Sequence, residues 1–81
     1  MVSLEEIEQC LLASNDVSFV KATGDGYHYQ VTVVSDRFVG QSTVAKQQWV
    51  YAQLGDYITS GRLHALTMKT LTTAEWEKQH G

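Results

Sequence analysis

The chain has 81 residues, 43% apolar and 19% charged, with one Cys, no Pro and a formal net charge of −3. A chain of this size buries about 60% of the surface its unfolded form exposes, which supports one modest core and one surface site. Residues 1–81 are therefore expected to form a single domain, and a multidomain enzyme carrying its own cofactor fold is excluded. The negative balance leaves no electrostatic footprint for a phosphate backbone or an anionic membrane. A lone Cys builds no disulfide framework, and no apolar run approaches the ~20 residues that cross a bilayer. The sequence enters a helix signal directly, without a basic and apolar leader, so a reducing cytoplasmic setting is expected.

Ser3 and Glu6 have capping-box spacing, and Leu4, Ile7, Cys10 and Leu11 recur at helical intervals, which predicts a first helix over residues 4–13. Asn15-Asp16 stops it. Val17 to Thr23 is rich in β-branched and aromatic residues and reads as a strand, followed by a hairpin turn at Gly24-Asp25-Gly26. The next strand alternates cleanly, with Tyr29, Val31 and Val33 on one face and His28, Gln30 and Thr32 on the other. Asp36 to Gly40 breaks it. Ser42 can cap a second helix whose apolar stripe is Gln47, Val50, Tyr51, Leu54 and Ile58, with Trp49 off the stripe. Gly61 ends the helical region, Leu63 to Leu71 reads as a third strand, and Thr72 with Glu75 repeats the capping box at the start of a last helix carrying Trp76.

The order helix, strand, strand, helix, strand, helix predicts an α+β fold with helices covering one face of a three-stranded mixed sheet. The first two strands form an antiparallel hairpin. The connection from Ser35 to Leu63 contains a helix, so a right-handed crossover can make the second and third strands parallel. In that arrangement His28 and His64 enter neighbouring strands, ~4.8 Å apart, at the same end of the sheet.

No H-x-x-H, C-x-x-C or H-E-x-x-H spacing occurs, so a self-contained zinc site is not expected. An isolated His near a strand end is most often a hydrogen-bonded surface residue, and His64 shares parity with Leu66 and Met68, which also suits a satisfied core imidazole. His80 lies beside the C-terminus, where chain ends fray. Cys10 sits on the apolar stripe of the first helix and reads as core. Gly24-Asp25-Gly26 lacks the Lys and Ser/Thr of a phosphate loop, and no nucleophile turn supports a Ser/His/Asp set, so no catalytic residues are assigned. Trp49 and Trp76 are candidates for partner contact, although packing over the sheet is the commoner fate of such residues. Acidic residues on the first helix and the tail read as solvated faces.

The segments GDGYHYQVTVVSDRFVGQSTVAKQQWVYAQL, residues 24–54, and GRLHALTMKTLTTAEW, residues 61–76, resemble the BolA-like family, most closely its bacterial IbaG branch. Phe38 and Gly40 ahead of the long helix and the Arg62-Leu63-His64-Ala65 strand entry carry the resemblance. It implies a class II KH-like fold and a function that periodicity does not show. BolA-like proteins pair with monothiol glutaredoxins, and the pair holds a bridging [2Fe-2S] cluster with glutathione. His64 matches the family's signature His before the last strand, and His28 matches the position in the hairpin loop where other members carry Cys or His. The resemblance thus implies a non-enzymatic partner protein with His28 and His64 as cluster ligands. His28, after a Gly-rich turn, is expected to be the movable ligand and His64 the fixed one.

Three departures qualify the transfer. Lys46-Gln47-Gln48 stands where BolA itself often has Arg-His-Arg, which weighs against the alternative of a nucleic-acid-binding transcriptional regulator. Thr73 replaces a common Pro, which affects only the start of the last helix. The G-x-x-G loop of true KH domains is missing, so the fold analogy brings no RNA-binding function with it.

Overall fold

Ser3 and Glu6 form the expected capping box: the Glu6 amide donates to Ser3 Oγ at 3.1 Å and the Ser3 amide to Glu6 Oε1 at 3.5 Å. Two otherwise unpaired amides are thereby satisfied, and helix α1 runs Leu4–Leu12. The structure is a computed structural model that describes residues 3–25, 27–63 and 65–80. Strands β1 (Val17–Gly24) and β2 (His28–Ser35) form an antiparallel hairpin, a 3-10 turn spans Asp36–Phe38, and helices α2 (Thr43–Gln53) and α3 (Gly55–Thr59) follow. Strand β3 (Ala65–Leu71) and helix α4 (Thr73–His80) complete the chain. No helix among the described residues is long and apolar enough to cross a membrane.

The sheet order is β1-β2-β3, with β2 and β3 parallel, as the crossover argument requires. Register rows such as Ala22–Val31–Met68 and Val20–Val33–Thr70 alternate with rows such as Lys21–Thr32–Lys69, so each row belongs to one face of the pleat. The first set meets α1 and α2 in a core of Ile7, Leu11, Val20, Ala22, Tyr29, Val31, Val33, Val50 and Leu54. Each fully buried aliphatic side chain there contributes about 1.5–3 kcal/mol relative to exposure. Glu8, on the inner turn of α1, is not merely solvated: its carboxylate accepts the Ala22 amide at 2.9 Å and so closes part of the edge of β1.

Several local expectations change. The single long helix divides at Leu54, where φ −99° and ψ 11° leave the helical well just before Gly55. The buried line is also rotated: Val50 and Leu54 are buried, Tyr51 and Ile58 are exposed, and Trp49 turns inward. Trp49 meets the Phe38 ring edge-on at 5.9 Å and lies beneath the Arg37 guanidinium at 4.4 Å, so a neighbour contributed by the 3-10 turn decides its fate. Leu63, expected to open the third strand, is instead spent on the core and on closing the preceding turn, its amide donating to the Tyr57 carbonyl. Gly61 ends α3 at φ +77°, the left-handed conformation that glycine adopts without strain.

Helix α4 differs in placement. While α1 and α2 cover one face as expected, Val34 and Leu71 are buried outside the main core, in the row Phe19–Val34–Leu71 on the opposite face. Trp76 stacks on Phe19 there, with centroids 4.6 Å apart and planes at 26°, and α4 packs on β2 and β3. The helical backbone extends to His80, the residue at which fraying was expected.

Candidate functional site

Between Trp76 and the hairpin turn, this second face of the sheet is open. Its exposed rows are Lys21–Thr32–Lys69, then Thr23–Gln30–Thr67, then His28 beside Ala65 at the end of the sheet. An open depression of about 440 Å³ lies at that end, bounded by Gly24, Asp25 and His28 of the hairpin and by the Thr23–Gln30–Thr67 row. His28 is exposed at its rim. The parallel pairing of His28 with Ala65 places the starts of β2 and β3 side by side. His64, the other expected ligand, lies outside the described residues.

The described residues of the turn that delivers His28 are joined by hydrogen bonds centred on Asp25. Asp25 Oδ1 accepts the backbone amides of both Tyr27 and His28, each at 2.9 Å, and the Asp25 amide donates to the His28 carbonyl at 3.3 Å. This is an Asx-type turn, in which a short carboxylate substitutes for backbone acceptors. The His28 amide foremost, and the Tyr27 amide with it, hold the Asp25 carboxyl below the usual aspartate range. Gly24 is required by proximity: a Cβ there would lie 2.6 Å from the His28 carbonyl oxygen. An Asp two and three residues ahead of the amides it accepts was the available sequence signal for this anchor, and a turn reading based on glycine alone misses it.

Cys10 belongs elsewhere. Its Sγ donates to the Gln53 carbonyl at 3.0 Å, and burial, reinforced by Asp56, pushes its thiol up from its ordinary value. It stays a protonated, half-buried thiol packed against the core, which is the structural role expected of it and a poor state for a metal ligand. Among the described residues no group of three or more His, Cys, Asp or Glu is arranged to hold a metal ion. Iron-sulfur clusters normally take four thiolates. Among the described residues, the His28 imidazole has no thiolate beside it.

The cations are unevenly committed. Arg37 pairs with Asp16 at 2.6 Å, and Arg62 pairs with Glu6 at 3.1 Å while lying 5.2 Å from the Tyr57 centroid. Lys21 and Lys69 make no ion pair among the described residues and share one row of the open face.

Residues 12–75 match the family model described as BolA-like protein. Acid stress protein IbaG of Escherichia coli K12 is 42% identical over 73 residues, covering 90% of this chain and 87% of that one. The DNA-binding transcriptional regulator BolA of the same strain is 30% identical, with 95% and 82% covered. A bolA protein homologue from Coxiella burnetii has a similar structure, with a TM-score of 0.76 and 34% identity over 95% of this chain and 99% of that one. The fold, the strand pairing and these matches agree, and the chain belongs to the BolA-like family.

Proposed function

We propose that this chain is a non-catalytic partner of a monothiol glutaredoxin, acting in the cytoplasm in iron-sulfur cluster trafficking or assembly, or in iron and stress signalling. Its contribution is imidazole ligation of a bridging [2Fe-2S] cluster. The observation that carries this reading is the exposed His28 at the rim of an open depression, beside the start of β3. His28 and His64 are the ligands from this side, and a glutaredoxin thiolate with glutathione completes the set. Neutral imidazoles in place of thiolates reduce the negative charge at the site and raise its reduction potential, as in Rieske centres. Protons compete with iron for imidazole, so release is favoured in acid. The acid-stress name of the Escherichia coli relative accords with such a site.

The name of the BolA relative favours a second reading, a nucleic-acid-binding regulator. Against it stand the net charge of −3 and the engagement of both arginines in ion pairs.

The test is visible absorption and circular dichroism of the chain alone and with a monothiol glutaredoxin and glutathione. Cluster colour is expected only in the mixture, and the His28→Ala and His64→Ala variants are expected to shift the spectrum or shorten the cluster's lifetime. A stable stoichiometric cluster on the isolated chain overturns shared ligation. So do unchanged spectra and lifetimes in the double variant when the complex remains intact.

A further inference from the structure

The hairpin end of the sheet contains a carboxylate that accepts two backbone amides of the segment that carries His28. Asp25 Oδ1 takes the His28 and Tyr27 amides at 2.9 Å each, and the Asp25 amide returns a bond to the His28 carbonyl at 3.3 Å. His28 is thus held at both its N–H and its C=O by one residue three positions earlier. The Gly24 backbone closes on the same carbonyl, leaving no room for a Cβ. From there β2 enters the parallel ladder, with His28 opposite Ala65 and Tyr29 opposite Leu66, and Tyr29 is buried in the core. The His28 backbone is therefore fixed on one side by Asp25 and on the other by the sheet. Only its side-chain torsions remain free to aim the imidazole.

We infer that Asp25 is a positioning residue: its carboxylate holds the His28 backbone so that the imidazole is presented at the rim of the depression before any ligand arrives. This deepens the function proposed above and rests on that reading for its purpose, although the hydrogen bonds themselves do not depend on it. A ligand held within a few tenths of an ångström loses little conformational freedom on binding, whereas one on a loose turn must be ordered at the moment of binding. Asp25 touches no metal in this scheme and acts only through His28. The side-chain acceptor, and not the negative charge, is what the turn needs, so Asn can replace Asp while Ala cannot.

Two measurements separate this inference from the reading beneath it. In the free protein without any cluster, backbone amide exchange of Tyr27 and His28 is measured by NMR for the wild type, Asp25→Ala and freshly prepared Asp25→Asn. Asp25→Ala is expected to speed exchange at both amides about tenfold while leaving core amides such as Val31 and Val33 unchanged, and Asp25→Asn is expected to restore most of the protection. Unchanged exchange in Asp25→Ala overturns the inference. In the complex with a monothiol glutaredoxin and glutathione, Asp25→Ala is expected to shorten cluster lifetime several-fold and to shift the visible circular dichroism in the same direction as His28→Ala, with rescue by Asp25→Asn. If His28→Ala changes the spectrum and Asp25→Ala does not, the positioning role is overturned and the cluster reading stands. If His28→Ala itself changes nothing, imidazole ligation by His28 fails, and the positioning role falls with it even where the exchange data uphold the turn.

Discussion

Gly24 shows how a single residue sets the geometry of the site. Its Cα faces the His28 carbonyl so closely that an added Cβ would sit 2.6 Å from that oxygen and 3.0 Å from Tyr29 Cδ1. The first obstacle is backbone, which cannot swing away as a flexible side chain would. Gly24→Ala must therefore push the turn outward or strain the pairing of Gly24 with Tyr29. We expect a cost of about 1–3 kcal/mol, the usual range for forcing extra atoms into a packed position. For a domain of this size 1 kcal/mol moves the melting midpoint by roughly 4–8 °C, so thermal unfolding followed by circular dichroism resolves it. The substitution should also shift the His28 amide resonance, whereas an unchanged midpoint and unchanged His28 resonance would show that the turn accommodates a side chain freely.

At the scale of elements, the first turn of α4 and the Phe19–Trp76 stack help hold the helix against β2 and β3. The Thr72 amide donates to Glu75 Oε1 at 2.8 Å and the Glu75 amide donates to Thr72 Oγ1 at 3.2 Å, the second capping box of the chain. The Thr72 backbone amide foremost, then its hydroxyl, hold the Glu75 carboxyl below the usual glutamate range. A carboxyl that titrates lower when folded than when unfolded contributes stability above its unfolded value of ~4.3, and that contribution is lost as the pH falls through the folded value. Acid below about pH 4 is therefore expected to loosen the start of α4 and, with it, the Phe19–Trp76 stack. The Trp76 indole resonance, followed by NMR from pH 6 to 3, reads this, and Glu75→Gln is expected to flatten its pH dependence because an amide oxygen still accepts the Thr72 bond without titrating. An indole shift that follows the same acid titration in Glu75→Gln would assign the effect to another group.

Both capping boxes, the hairpin and the parallel crossover were legible in the sequence because each follows from near-neighbour spacing or from the length of a connection. The break at Leu54 and the inward turn of Trp49 were not. The stripe from Gln47 to Ile58 keeps helical spacing through the break, and Trp49 is half-buried against Phe38 and Arg37, which reach it only after the chain has folded. The placement of α4 on the second face was hidden for the same reason: Phe19 and Trp76 are 57 residues apart and meet only when β1 and α4 are both in place. At the site, His28 could be placed from strand parity, but the carboxylate that anchors it was concealed within a glycine-rich turn.

For the whole molecule, the two faces of the sheet divide the work. One is consumed by α1 and α2 to make the core. The other is capped at one end by α4 and left open at the other, where His28, the Thr23–Gln30–Thr67 row and the Lys21–Thr32–Lys69 row lie in sequence along the surface. Lys21 and Lys69 have no ion-pair partner among the described residues, whereas Arg37 and Arg62 are committed to Asp16 and Glu6. Nucleic acid binding through the exposed rows of the sheet has the two cations Lys21 and Lys69 to neutralise phosphates, and the logarithm of affinity should then fall with the logarithm of salt with a slope of about −2. With a net charge of −3 opposing approach, binding to duplex DNA is expected to be no tighter than ~10⁻⁵ M at physiological salt. Lys21→Glu combined with Lys69→Glu should remove what remains. A fluorescence-anisotropy titration across several salt concentrations measures all three quantities. Sequence-selective binding tighter than ~10⁻⁸ M would instead require a contact surface built by other residues, and would make regulation of transcription the better account of this chain.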